Sequence, residues 1–428
     1  MYRNLLSSPA RIQVPWIKVT IGNYTFGVFT KTTNNKLSSD LNYGAIYNVQ
    51  YPNFVKSLTV TKINGQINQY TLNVSYPVTS NDDPNFFDKV LSSVSKTRKI
   101  IFSYGDMSTP SFAFKDEEAI ITKVTQQFSM TGSVITYVIN ATSSSILNKS
   151  SNWTFPGGLK QPSVEIKRLL SSSKYGLTQL FTGMNRNNID KLIAGDDKLV
   201  EISTKKNISA LDYVMYLVNC MIPKSSRNNT NVDSDIYVLT IHDDSTYEKI
   251  NESLGLNIKG PYFKVSRISH KINRNDAFTI DLGFGNSGTI VTNFSIDQDE
   301  NYSMLYDYTS ELNTKNYVQR LDNNGKWQTI WSPSVTSKND FSTTLPEDLV
   351  WWTKMTKYPI KATITVQGLL RPALLMSYLK LNVIFPGGRK HNASGTYLIT
   401  QQIDSINEQG YKTTLSLVRI IGDDSNTI

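Results

Sequence analysis

Residues 121–141 and 399–419 match without a gap, 278 positions apart, and each stretch reads as a strand, a turn and a returning strand. Ile121 falls on Ile399, Thr122 on Thr400, Phe128 on Ile406, Gly132 on Gly410, Thr136 on Thr414 and Ile139 on Leu417. A β unit written twice in one chain predicts a duplicated architectural module, and every segment between the copies has to be read against that repeat.

Reading outward extends both copies. In the first, Ile17, Val19 and Ile21, then Gly22-Asn23, then Tyr24, Phe26 and Val28 give a hairpin pattern. A second hairpin is expected from Leu58 to Tyr76, turning at Asn64-Gly65, with Tyr70, Leu72, Val74 and Tyr76 on one face. Asp83-Pro84 then reads as an N-cap with proline at the first helical position, opening about three turns of helix through Phe87, Val90, Leu91 and Val94. Lys99–Tyr104 returns to strand, and the hairpin of Ile120 to Ala141 turns at Met130-Thr-Gly132. The tail repeats this order in shorter form. Ala362, Ile364 and Val366 make a strand, Arg371-Pro372 starts a short helix or turn, Leu379–Phe385 is the next strand, and the second hairpin turns at Asn407-Glu-Gln-Gly410.

Between the copies the pattern changes. Pro156-Gly157-Gly158 and Gln161-Pro162 read as a linker, and Val164 to Leu180 has mixed helical periodicity. Leu199–Ile202 reads as a short strand, and Ser209-Ala-Leu-Asp212 opens a helix through Leu211, Val214, Met215 and Val218. Strands at Ile236–Ile241, Tyr262–Ile268 and Phe278–Phe284 complete a small α+β unit. Val291–Ile296 is a strand where the second copy begins. The expected layout is mainly β with an α+β middle: residues 1–150 and 289–428 as related β domains, the second with an insertion at about 300–357, and 151–288 between them.

Composition narrows the function. The chain is 39% hydrophobic and 18% charged, with 44 Lys and Arg against 35 Asp and Glu. The net charge of +9 is spread without a basic run or an Arg-rich arm, which argues against nucleic-acid recognition as the main task. Neither an apolar stretch behind a basic head nor about 18 consecutive apolar residues occurs, so neither a signal peptide nor a membrane span is expected. Cys220 is the single cysteine, which excludes an internal disulfide and a thiolate metal cage. Asn73-Val-Ser75, Asn140-Ala-Thr142 and Asn392-Ala-Ser394 are glycan-acceptor triplets of the kind such a composition produces by chance.

Chemistry is sparse. His242, His270 and His391 stand in separate segments, with no metal-ligating pair. His242-Asp243-Asp244 reads as a turn cap before it reads as a cation or acid–base site. Gly285-Asn-Ser287-Gly288 is only faintly similar to a serine-nucleophile turn and lacks its partners. Asp116-Glu117-Glu118 reads as a charged loop, because alternate strand residues face opposite ways and three neighbours cannot converge on one substrate. No catalytic, cofactor or metal residue is assigned. Four of the six tryptophans, Trp327, Trp331, Trp351 and Trp352, fall in the insertion, where they read as a local mini-core, a partner contact or a sugar platform.

Ser394-Gly395-Thr396-Tyr397-Leu398-Ile399-Thr400 with Gly410-Tyr411-Lys412-Thr413-Thr414-Leu415-Ser416-Leu417 resembles the last hairpin of the phage baseplate hub, or late-control D, family. That family includes siphophage tail hubs and the N-terminal part of the type VI secretion spike. Asp82-Asp83-Pro84 with Phe86-Phe87, and Phe112 to Lys115 leading into Glu118-Ala-Ile-Ile-Thr122, are similar to its first domain. The resemblance implies two tail-tube-like β-barrels, each with a short helix, flanking the α+β middle. It implies a homotrimer of pseudo-sixfold symmetry that joins the tail tube to a central spike or tail-tip protein and lines the DNA-ejection channel. Wedge or adaptor proteins are the further partners, DNA meets the protein only in passage, and the protein sits in the virion tail after synthesis in the host cytoplasm. It implies no enzyme activity and no cofactor, and the chain's end just past the hairpin leaves any lysin or spike to another protein. The other readings open at this point are a carbohydrate-binding tail adhesin that serves host attachment and a cell-wall hydrolase.

Overall fold

A computed structural model describes residues 15–29, 51–52, 54–63, 66–106, 114–129, 133–143, 152–175, 186–221, 236–242, 262–268, 278–283, 291–298, 318–321, 327–331, 360–367, 375, 377–385, 387–391, 393–407 and 409–422. The first hairpin is β1 (Pro15–Ile21) and β2 (Tyr24–Phe29), turning where Gly22-Asn23 was expected to turn it. Gly22 sits at φ 59°, a conformation that favours glycine, and a Cβ there would lie 2.9 Å from Ser93 Oγ, which would have to move. After β3 (Tyr51–Pro52), β4 (Val55–Ile63) and β5 (Gln69–Pro77) pair antiparallel, and Tyr70, Leu72, Val74 and Tyr76 are all buried, as their alternation predicts.

The proline-led helix is shorter and starts later than its sequence suggests. Helix α1 runs Phe86–Ser93 with Asn85 as its N-cap residue. Asp83 Oδ1 accepts from the Asn85 N–H at 2.9 Å and the Asp83 carbonyl from the Phe86 N–H at 3.0 Å, so Asp83-Pro84 makes the turn before the helix. Phe87 and Val90 are fully buried, and the Phe87 ring lies 5.3 Å from Phe26 and 4.6 Å from Tyr137, pinning α1 to the sheet. Strands β6 (Lys99–Asp106), β7 (Phe114–Ser129) and β8 (Val134–Ser143) complete the first copy.

The middle segment holds β9 (Trp153–Phe155), β10 (Gly158–Lys160), α2 (Pro162–Ser171), a 3-10 turn at Ser173–Tyr175, α3 (Arg186–Leu192), β11 (Val200–Ile202), β12 (Lys205–Ile208), α4 (Ala210–Asn219), β13 (Ile236–His242) and β14 (Tyr262–Ile268). Pro162 is the first residue of α2 and not part of a linker, which fits its missing N–H and fixed φ. The buried Asp197 carboxylate accepts the Ser163 N–H at 2.9 Å, capping α2 from 34 residues away. Ser209 caps α4 as its motif predicts, accepting the Asp212 N–H at 3.0 Å. These elements share their own core, in which Phe155 stacks on Tyr213 at 3.9 Å.

The remaining strands are β15 (Phe278–Gly283), β16 (Val291–Gln298), β17 (Val318–Leu321), β18 (Trp327–Trp331), β19 (Ile360–Gln367), β20 (Tyr378–Ile384), β21 (Gly395–Asn407) and β22 (Gly410–Gly422). Phe278–Gly283, expected with the middle strands, pairs in parallel with β20, and Ile280 and Leu282 lie in the core of the second copy. The Arg371-Pro372 turn and Asn64-Gly65 lie outside the described residues.

Among the described residues one fourteen-stranded sheet runs β16-β19-β22-β21-β4-β5-β8-β7-β6-β1-β2-β3, with β20 beside β21 and β15 beside β20. The run β16-β19-β22-β21 is the run β4-β5-β8-β7 repeated. Bulges mark the equivalence: between Val55 and Ser57 in β4 as between Val291 and Asn293 in β16, and between Ile121 and Lys123 in β7 as between Ile399 and Gln401 in β21. The gapless match holds through the first strand of each hairpin and then shifts by two. Ser129 pairs with Val134, whereas Asn407 pairs with Gly410, so the second loop is two residues shorter and Ile139 corresponds to Leu415, not Leu417.

Gly410 closes that short loop at φ 137°, a backbone conformation L side chains avoid. Gly410→Val is expected to lower stability by about 1–3 kcal/mol, read as a reduced urea midpoint; an unchanged midpoint would show that the turn tolerates a side chain.

Candidate functional site

Among the described residues, the place where the two copies meet brings buried carboxylates and an ammonium together. Strand β21 pairs with β22 along one edge, while its other edge is divided: Gly395–Leu398 pair with β20 and Gln401–Asn407 with β4 of the first copy. Ile406 and Tyr411 therefore lie in the core of the first copy, beside Leu58, Val60 and Tyr104. Two hydrophobic cores are joined by one continuous hydrogen-bonded ladder.

Buried charge lines this joint. Asp404 is fully buried opposite Val60 and accepts hydrogen bonds from Gln402 Nε2 at 2.7 Å, Thr413 Oγ1 at 2.8 Å and Tyr411 Oη at 2.9 Å. Glu117, also fully buried, takes Lys62 Nζ at 2.9 Å and Tyr104 Oη at 3.2 Å. The Lys62 ammonium also lies 4.1 Å from the Phe114 ring centre. Burial raises the Asp404 carboxyl above its usual range against the pull of Lys62 and the three donors, because desolvating a carboxylate outweighs them. Burial and the neighbouring Glu117 and Asp404 charges push the Tyr104 phenol well above its ordinary value; burial and Asp404 do the same to Tyr411. Two carboxylates thus share one ammonium in a dry, hydrogen-bonded setting. The arrangement fixes a register.

Asp116-Glu117-Glu118 belongs to β7 and is not a loop. Asp116, at φ 55°, forms a bulge against Ser103, whose Oγ accepts the Asp116 N–H at 3.0 Å. The bulge resets the alternation so that both Phe114 and Glu117 face inward. Glu118 points out and pairs with Lys99 at 2.6 Å, so the three carboxylates do diverge.

The other candidate groups are scattered. His391 Nδ1 accepts the Ala393 N–H at 3.1 Å and closes a turn. His242 ends β13, while His270, Asp243, Asp244 and Gly285 to Gly288 lie outside the described residues. Cys220 is buried at the end of α4. Among the described residues no three His, Cys, Asp or Glu side chains converge as metal ligands, and no helix is long and apolar enough to cross a membrane. Trp327 and Trp331 stand at the two ends of β18, which pairs antiparallel with β17, Leu321 opposite Trp327 and Val318 opposite Trp331. Trp351 and Trp352 lie outside the described residues.

The joint yields a sharp contrast. Lys62→Met leaves two buried carboxylates without a cation and is expected to cost about 3–5 kcal/mol, whereas Asp404→Asn leaves Lys62 paired with Glu117 and is expected to cost far less. The sign with pH follows from the raised Asp404 carboxyl: the native state holds that proton more tightly than the unfolded chain. Its stabilising contribution is full below the unfolded carboxylate range and is lost as pH rises through the folded value. Urea midpoints of Lys62→Met at neutral and acidic pH, compared with the parent chain, are expected to show the variant's deficit shrinking on acidification.

No family model matches the chain, and no curated protein matches it. Among solved structures it is similar to the tail protein from Neisseria meningitidis MC58, at 10% identity and TM-score 0.44 over 94% of this chain and 96% of that one. It is similar to the 43 kDa tail protein of prophage MuSo2 from Shewanella oneidensis, at 9% identity and TM-score 0.44 over 95% and 98%. A third is the E. coli c3393 protein, a component of the type VI secretion system, at 10% identity and TM-score 0.42 over 87% of this chain and 75% of that one. The chain is thus similar, at low identity and over nearly all its length, to tail proteins, one of them from a prophage, and to a type VI secretion component.

Proposed function

We propose that this protein is a structural hub of a phage tail or baseplate, a homotrimer whose six related β modules form a ring around the channel between the tail tube and a central spike or tail-tip protein. The observation that carries this reading is the repeated four-strand run joined edge to edge through β21 and β4. A chain of this form is already two segments of a ring, and three copies supply six. The hairpin residues Ser394 to Thr400 and Gly410 to Leu417, with their likeness to the hub family, support the same conclusion. Modules that share strand edges leave few unpaired, which suits a repeated assembly.

On this reading the protein acts by shape and not by catalysis, and the buried carboxylates at the joint hold two modules in register. The tube, the spike or tip, and wedge or adaptor proteins meet its faces, and DNA passes through the ring. Trp327, Trp331, Trp351 and Trp352 are the proposed anchors for one of those protein partners.

Light scattering on the purified chain is expected to give about three times its 48.2 kDa mass, and particle images to show rings of threefold or sixfold appearance. A monomer at every accessible concentration would sink the hub reading. Paired Trp327→Ala and Trp331→Ala substitutions are expected to leave the ring mass unchanged while abolishing co-purification with a tail partner. Glycan-array binding lost in the same variant would favour the adhesin instead.

A further inference from the structure

The repeat in the sheet fixes which edges of the chain are left for a neighbour. In the second copy, Gln401–Asn407 of β21 are covered by β4. Their counterparts in the first copy are Lys123–Ser129 of β7, 278 positions earlier and placed by the shared bulge. That stretch pairs with β8 on one side, and among the described residues no strand lies on its other side, because β6 reaches only to Ile120. The strand equivalent to β4 is β16, with Leu58 corresponding to Phe294 and Val60 to Ile296, again placed by matching bulges. β16 pairs with β19, and no second strand covers it among the described residues. Among the described residues the outer half of β7 and the edge of β16 are thus the two halves of one unmade joint, while the far end of the sheet is β3.

The side chains agree with the backbone. At the joint that is made, Leu58 lies opposite Ile406, and both are buried. Phe128, the counterpart of Ile406, is 66% exposed, the most exposed large apolar side chain among the described residues, and Ile296, the counterpart of the buried Val60, is 36% exposed. Phe294 is only partly buried against the second core. Phe128 corresponds to Ile406, so the residue that fills a core in one copy is left in water in the other.

We propose that Val124–Ser129 of β7 pairs antiparallel with Asn293–Gln298 of β16 in the next copy of this chain, Phe128 opposite Phe294, Gln126 opposite Ile296 and Gln127 opposite Ser295. The pairing repeats the register of the internal joint and is heterologous, so it propagates until a ring closes. It rests on the ring reading above and names the surfaces that close it. The two joints also exclude each other's partners. Asp404 lies beside Lys62 within the chain; set against β16 it would face Ile296, with Gln298 at the lysine's place. A buried carboxylate without its cation is a strong penalty, so β21 is kept for its own β4 and β7 is left for another copy.

The test uses the full chain carrying Gln127→Cys and Ser295→Cys, two exposed positions that leave the apolar face intact; native Cys220 is buried. Under mild oxidation most of the chain is expected to run as linked dimers and trimers on a non-reducing gel. The single substitutions, and Lys123→Cys with Ser295→Cys, four positions out of register, are expected to give none. Phe128→Asp is expected to keep the melting transition of the parent protomer and to lose the trimer mass. Trimers that form without the in-register cross-link, or that survive Phe128→Asp, would overturn this pairing while leaving the ring standing. A parent chain that stays monomeric overturns both.

Discussion

Backbone hydrogen bonding along Gln401–Asn407 is the constraint on which the rest of the structure depends. These residues lie about 340 positions from Ser57–Ile63 in the chain, yet the two strands form one ladder. Without it β4 would end as a bare edge, Ile406 and Tyr411 would leave the first core, and Asp404 would lose the ammonium of Lys62 from its surroundings. The joint closes a loop of that length, an entropic cost that grows only slowly with separation and that the ladder and its buried side chains have to offset. Buried charge there adds little net stability, since desolvation offsets attraction, but it strongly penalises every misaligned alternative.

The fold was legible in the sequence wherever alternation and turn chemistry agreed. Tyr70 to Tyr76, Ile17 to Ile21 and the Ser209 cap stand where periodicity and capping put them, because each signal is local. The gapless match of the hairpins was right in its first strand and two residues out in its second. The error was invisible because a shift of two keeps every side chain on its own face, so inward residues still fell on inward residues. The destination of Phe278–Gly283 was not legible for another reason: a short apolar strand carries no mark of its partner, and its parallel pairing with β20 depends on the whole chain path.

The site was harder to read than the fold. Asp404 stands in phase with Gln402 and Ile406, directly opposite Thr413 and diagonal to Tyr411, so a polar stripe on an inward face was the available signal. It was masked by the habit of assigning an Asp on a strand to solvent. Glu117 was hidden by its neighbours, since three acidic residues in a row look like surface, and only the bulge at Asp116 turns the middle one inward. The tryptophans were conspicuous by type, but type alone fixes neither a face nor a partner.

On the proposed pairing, the contrast between the two joints follows from when each is formed. The internal joint closes while a single chain folds, at the high effective concentration of two segments of one molecule, and tolerates the cost of burying Lys62, Glu117 and Asp404. The edges left over have to remain soluble until another copy arrives. Gln126, Gln127 and Lys123 on β7, with Asp297 on β16, keep those edges wet, and the apolar surface is held to Phe128 and Ile296. A buried ion pair placed between copies would instead expose a desolvation barrier at every association step, whereas a small apolar contact with matched backbone groups associates without it. On that pairing the two joints differ at Leu58/Phe294, Lys62/Gln298 and Asp404/Gln126, so that one has buried charge at its centre and the other, at the same places, has none.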